Sequence, residues 1–302
     1  MTLMSAGGSA VTAVTAADIT TFADPAGTVS QPEEITTGPD GNLWFTSFGN
    51  GRIGRISPAG DITTFADPAG NVSQPDGITA GPDGNLWFTN GGNNRIGRIT
   101  TAGIITTFTD PAGGVDRPFR ITSGPDGNLW FTSVRSHRIG RITTAGVITT
   151  FPDPAGNVAA PFGITPGPDG ALWFTSSNNN RIGRITTAGV ITTFTDPAGG
   201  LDRPDGITAA ADGNLWFTSQ NNGRIGRSTT AGVITTFTDP AGQVAGPRGI
   251  TAGPDDHVWF TSTFSDRIGR VDTTGPSPPP PSPPDPVPGP PQPVTGTPRF
   301  TG

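Results

Sequence analysis

The sequence predicts an all-β protein: a six-bladed β-propeller of 43-residue, four-stranded repeats, closed by the N-terminal strand pairing with the C-terminal blade. Three observations predict it. The string LWFT recurs at Leu43, Leu86, Leu129, Leu172 and Leu215, and VWFT follows at Val258, always 43 residues on. Each unit holds four short runs of β-branched and aromatic residues. With 45 Gly, 33 Pro and no sustained 3.6-residue period, the chain has little capacity for helix.

The elements follow in order within a unit. GIT is the innermost strand, and the tight turn GPDGN leads out of it. LWFT comes next, then RIGRI, then a TTAG turn, and the following ITTF is outermost. On this order the last unit ends at Val271 without an ITTF, while residues 19–22 supply an unmatched one. That N-terminal strand is expected to complete the blade built from residues 249–271 and so cover its edge. Residues 1–18 form an N-terminal extension, 19–275 the propeller, and 276–302 a Pro-rich tail. Twelve Pro in the 18 positions 276–293 make that tail a polyproline II spacer.

Composition excludes several functions. There is no Cys, hence no disulfide scaffold, zinc-thiolate site or cysteine nucleophile. All 18 basic residues are Arg and the net charge is −6, which argues against nucleic acid as a partner. No apolar run reaches the length of a membrane span. The N-terminus lacks the basic segment and continuous apolar core of a signal peptide. The compartment is not legible: the tail suits an extracellular or surface-linked domain.

Six near-identical units permit an internal test. Positions constant in every copy serve the blade; positions that differ can serve one asymmetric site. The six Trp, from Trp44 to Trp259, sit at one phase and read as blade-to-blade core. Twelve Arg lie in RIGR, and twelve Asp lie in the DPAG and PDG-type turns, which suggests repeated Arg–Asp pairs or Asp-capped turns.

Two loops vary. Before Ile-Thr the pairs read Glu33-Glu34, Asp76-Gly77, Phe119-Arg120, Phe162-Gly163, Asp205-Gly206 and Arg248-Gly249. After WFT the loops begin at Ser47, Asn90, Ser133, Ser176, Ser219 and Ser262. In an antiparallel blade both connections emerge on one face, around one mouth of the channel, where ligands of such folds are expected. The candidate ligand-binding residues are therefore Glu33, Glu34, Phe48, Phe119, Arg120, His137, Phe162, Arg248 and Phe264. Expected partners are a small cyclic peptide, a sugar-like ligand or a protein at this mouth, with the chain a monomer. Acid–base candidates are few: Glu33 and His137. Adjacent residues on an extended segment point to opposite faces, which sets Glu33 and Glu34 apart. His257 replaces the Asn of a GPDGN turn on the other face. No His, Asp or Glu spacing reads as a metal site, so no cofactor is expected.

The unit P-x-G-I-T-x-G-P-D-G-x-L-W-F-T…N-R-I-G-R-I-T-T-A-G resembles the repeat of streptogramin B (virginiamycin B) lyases and, more loosely, NHL-type propellers. The resemblance implies a propeller, typically of seven blades. It implies a bacterial cytoplasmic lyase that uses Mg²⁺ to open a cyclic depsipeptide by elimination at its ester. It also implies a catalytic His in a P-H-G-I-T context and Glu in W-F-T-E contexts. Here no pre-IT position is His and no residue after WFT is Glu. Two functions follow: a binding or interaction scaffold acting through the variable-loop face, or a lyase opening a cyclic depsipeptide or lactone.

Overall fold

The computed structural model describes residues 21–273. Their strands form six antiparallel sheets, each one sequence repeat. Blade 1 consists of β1 (Pro32–Thr37), β2 (Leu43–Ser47), β3 (Arg52–Ile56) and β4 (Ile62–Ala66), in that spatial order. Four further blades repeat this order, and their inner strands pack on one another in succession around a channel. No helix among the described residues is long and apolar enough to cross a membrane.

Register explains the repeat's constants. Phe45 on β2 lies opposite Gly54 on β3, and its ring occupies the space a side chain there would need. A Cβ on Gly54 would fall 2.1 Å from that ring, so RIGR requires its glycine. Trp44 donates its indole N–H to Asp40 at 3.0 Å, and all six blades repeat this bond. The turn Asp thus satisfies the one polar group of a buried Trp. In blades 1, 2, 3 and 5 the second Arg of RIGR lies over the Trp and Phe rings, as Arg98 does at 5.6 and 5.7 Å. It also pairs with the turn Asp in blades 2, 3, 4 and 6. The expected Arg–Asp pairs and Asp-capped turns are both present; Asp67, for example, accepts from the N–H groups of Ala69 and Asn71.

The core lies between blades. Trp44 and Ile53 of blade 1 meet Ile78, Leu86, Phe88 and Ile99 of blade 2, and equivalent clusters recur to blade 6. A polar stitch accompanies each cluster. Thr46 Oγ1 donates to the carbonyl of Asp76 at 2.7 Å, and Thr89, Thr132, Thr175 and Thr218 repeat it.

Blade 6 shows three strands, Pro247–Ala252, Val258–Ser262 and Arg267–Val271. The expected fourth strand, residues 19–22, lies partly outside the described residues; Thr21 and Phe22 are in no strand. Phe22 nevertheless lies against Gly60 as Phe65 lies against Gly103. That is the place of an outer strand beside blade 1. A cavity of about 580 Å³ runs along the outer strand of blade 6, which no other strand pairs among the described residues. The sixth interblade core is not assembled among the described residues: Ile35 is 57% and Ile268 68% exposed. The extension (1–18) and the tail from residue 276 also lie outside the described residues.

Candidate functional site at the channel mouth

A bulge builds the mouth. On β1 the pairing jumps from Pro32–Ser47 to Ile35–Phe45, so Glu33 and Glu34 together oppose Thr46. The same jump occurs in all six blades, always at the variable pair before Ile-Thr. A bulge re-aims side chains. Glu33 and Glu34 both line the cavity at the mouth, and the bulge interrupts the alternation expected of an unbroken strand. The residue before each blade's first Pro is left-handed, with φ of 48 to 58° from Gln31 to Gly246. In blades 3 and 5 that residue is Arg117 or Arg203.

The cavity measures about 440 Å³, within the roughly 300–1,000 Å³ of small-molecule sites. Seven sequence candidates line it: Glu33, Glu34, Phe48, Phe119, Arg120, Phe162 and Arg248. Asp76, Asp205, Arg117 and Arg203 join them. Two candidates stand elsewhere. His137 sits in a left-handed turn and accepts the Ala160 N–H on Nδ1 at 2.8 Å. Asn94 and Asn180 make the same bond in other blades, so His137 acts as a turn residue, and it is not brought to Glu33. Phe264 is 71% exposed and lies against Gly246.

Arg120 is the hub. It donates to Asp76 at 3.1 Å and to Glu34 at 3.3 Å. Its guanidinium lies 4.5 Å over the Phe119 ring, and Phe119 meets Phe162 edge-on at 5.0 Å. Glu34 also accepts the Ile78 N–H at 3.0 Å. Burial pushes the Asp76 carboxyl up to about 6, with Arg120 opposing and Glu33 and Glu34 adding to the rise. Burial raises Glu34 as well, against Arg120. Asp205 is raised by burial against the pull of Arg248, Arg120 and Arg203.

The placement of charge is selective. Twelve of the 18 Arg belong to RIGR. Of the other six, Arg117, Arg120, Arg203 and Arg248 line this cavity, Arg135 does not, and Arg299 lies outside the described residues. Both Glu of the chain line it too. Sequence reasoning missed Arg117 and Arg203. Their signal was an Arg where the other copies carry Gln, Ala or Gly before Pro.

Among the described residues no three His, Asp or Glu side chains converge on a metal position, and Arg120 already holds Glu34 and Asp76.

The virginiamycin B lyase family model matches residues 1–116 and 112–277. A solved streptogramin B lyase is 37% identical, over 80% of this chain and 78% of its own, with a TM-score of 0.71. A catalytically inactive variant of virginiamycin B lyase from Staphylococcus aureus, solved with quinupristin, is 40% identical over 80% of each chain, also at 0.71. A nidogen–laminin complex matches at 20% identity and a TM-score of 0.56, over 73% of this chain and 84% of that one, and shows the fold alone. Among curated proteins none matches. With the family model spanning both halves of the ring and these lyases sharing its blades, the chain belongs to the virginiamycin B lyase family.

Proposed function

We propose that this member of the family is a binding propeller that holds a small or peptide ligand in its channel mouth. One observation carries the reading. Eleven residues that break the sixfold repeat with charge or aromatic surface line a single cavity, while Arg135, Phe264 and the chain's two His lie outside it. Residues repeated six times present the same group six times; only such exceptions can make an asymmetric pocket. The Phe119–Phe162 pair offers an apolar wall, and Arg120 and its carboxylates offer fixed polar contacts. The P-H-G-I-T and W-F-T-E residues that the family resemblance implies for catalysis are absent. The test is a ligand screen, with quinupristin included, on the full chain. Phe119→Ala or Phe162→Ala should weaken a hit by about 2 kcal/mol, roughly thirtyfold. His257→Asn should leave it unchanged, and the reverse ranking would move the site to the other face.

A second reading, a lyase opening a cyclic depsipeptide or lactone, has one observation in its favour. Elimination needs a group that accepts a proton from carbon, and Asp76, raised to about 6, lies in the cavity. Incubating the chain with quinupristin and Mg²⁺ should then give a linear product, lost in Asp76→Asn. An intact antibiotic leaves the binding reading.

A further inference from the structure

The cations of the mouth are not equivalent. Arg120 is held by Glu34 and Asp76. Arg117, Arg203 and Arg248 line the same cavity and make no ion pair within 4 Å among the described residues. In blades 5 and 6, Arg203, Asp205 and Arg248 line this cavity together, and Asp205 lies within the pull of Arg248, Arg120 and Arg203. The cavity as a whole balances four Arg against Glu33, Glu34, Asp76 and Asp205, but Arg120 is already committed to two of those carboxylates, which leaves three guanidiniums unpaired among the described residues beside Glu33 and Asp205. Across the cavity stand Phe119 and Phe162, which no scaffold position requires, since other blades carry Asp, Glu or Arg there.

We infer that the channel mouth binds an organic monoanion: a carboxylate taken by Arg203 and Arg248, joined to an aryl or alkyl group that lies on Phe119 and Phe162. The inference rests on the channel-mouth reading and names its ligand class. Guanidinium forks match the planar geometry of a carboxylate and bind it through paired N–H donors. A monoanion fits better than a dianion, because Asp205 and Glu33 remain in the cavity and repel added negative charge. The chain also has no Lys, so every cation it can offer a ligand is a planar fork. Placing four of its six non-scaffold Arg in one small cavity is therefore a commitment of the sequence to this chemistry.

Matched pairs test it. The full chain is titrated by calorimetry with a panel of aryl and alkyl carboxylates, 3-phenylpropionate first, and with the primary amide of each. Phenyl phosphate is the dianionic control. Acids should bind, their amides about tenfold or more weakly, and added salt should erode the difference. Arg203→Gln and Arg248→Gln should each cost the acid about tenfold and leave any amide binding unchanged; unaltered circular dichroism shows that the blades remain. Amides equal to acids, acids indifferent to both substitutions, or no acid binding at all overturn the inference. Tighter phenyl phosphate overturns the choice of a monoanion. The two readings fail differently. Uncharged hits lost in Phe119→Ala leave the mouth as the site and remove the anion. Acid hits unmoved by Phe119→Ala and Phe162→Ala remove the mouth itself.

Discussion

Glu34 and Arg120 stand 86 residues apart and meet at 3.3 Å across Gly77. They occupy one repeat position, which reads Glu34, Gly77, Arg120, Gly163, Gly206 and Gly249 around the ring. Blades 1 and 3 carry the side chains, and the glycine of blade 2 leaves the gap through which they clasp. A Cβ on Gly77 would fall 3.1 Å from Glu34 Oε2 and 2.7 Å from the Phe119 carbonyl oxygen. Gly77→Ala should therefore destabilise the fold by about 1–3 kcal/mol, as overpacking does. Urea unfolding measures this, and an unchanged midpoint would show that the clasp has slack.

The clasp also fixes what removing its cation does. Arg120→Ala leaves Glu34 and Asp76 facing each other without the charge that holds them. Glu34 and Arg120 are each about one-third exposed (32%), so solvent screens part of the effect. The expected loss is about 1–2 kcal/mol, below the figure for fully buried pairs. Adding Glu34→Gln and Asp76→Asn should recover most of it. A triple variant as unstable as Arg120→Ala would trace the loss to the stacking on Phe119 instead.

Asp76 gives the protein a pH signature. Its carboxyl lies at about 6 in the fold against 3.8 ordinarily, so the folded state binds the proton more tightly than the unfolded chain. Its contribution to stability is complete below about pH 4 and is lost as pH rises through about 6. At about 1.4 kcal/mol per unit the swing is on the order of 2–3 kcal/mol. The turn carboxylates slope the other way. Burial works against the charged form of Asp83, but bonds from Asn85 and Trp87 outweigh it and hold the carboxyl low, so stability is also lost in strong acid. Unfolding free energy should peak in mild acid, and Asp76→Asn should flatten the fall between pH 4 and 6.

The glycines of this position also report on the ring. A Cβ on Gly206 would meet the Arg248 carbonyl oxygen at 2.4 Å, whereas one on Gly249 would find its nearest atom, Thr261 Oγ1, at 3.4 Å. Gly206→Ala should cost about 1–3 kcal/mol. Gly249→Ala should be neutral or stabilise by up to about 1 kcal/mol through the unfolded chain. Equal costs at both sites would mean that blade 1 lies against blade 6 in solution as blade 6 lies against blade 5.

Much of this was legible in the sequence. A period of 43 and the fixed phase of Trp, Arg and Asp are enough to specify strands, turns and interblade core, because each copy repeats the same local solution. The meeting of Phe119 and Phe162 follows from their places at one repeat position in consecutive units. The bulge did not. It depends on how Pro32 and Ile35 register against β2, and alternation along an ideal strand does not anticipate that Glu33 and Glu34 together oppose one residue. Arg117 and Arg203 escaped because they reach the mouth from left-handed residues beyond the Pro that precedes the variable pair. His137 looked chemical because it is rare, yet its ring nitrogen does the work of an Asn side chain.

Trp259 offers the last test, and it bears on the closing interface. Trp44, Trp87, Trp130 and Trp173 are wholly buried and Trp216 is 2% exposed, whereas Trp259 is 36% exposed. The cause is that, among the described residues, no neighbouring blade packs on it. Each of the other five packs against the Ile, Phe and Leu (Val258 in blade 6) of the following blade, and the blade 1 residues that would serve Trp259, Ile35 and Leu43, are 57% and 43% exposed. Thr261 tells the same story: it accepts the Gly249 N–H at 3.0 Å, but donates to no carbonyl of a next blade among the described residues. One of the six tryptophans should therefore be open to acrylamide. Stern–Volmer plots should curve, with a quenchable fraction near one part in six, and Trp259→Phe should remove that fraction while the other emission stays protected. Emission protected throughout would mean that Trp259 is covered in solution, with Ile35 and Leu43 as the residues placed to cover it. In that event Ile35→Asp should expose Trp259 again and lower the unfolding midpoint, since it would place a carboxylate in the sixth core.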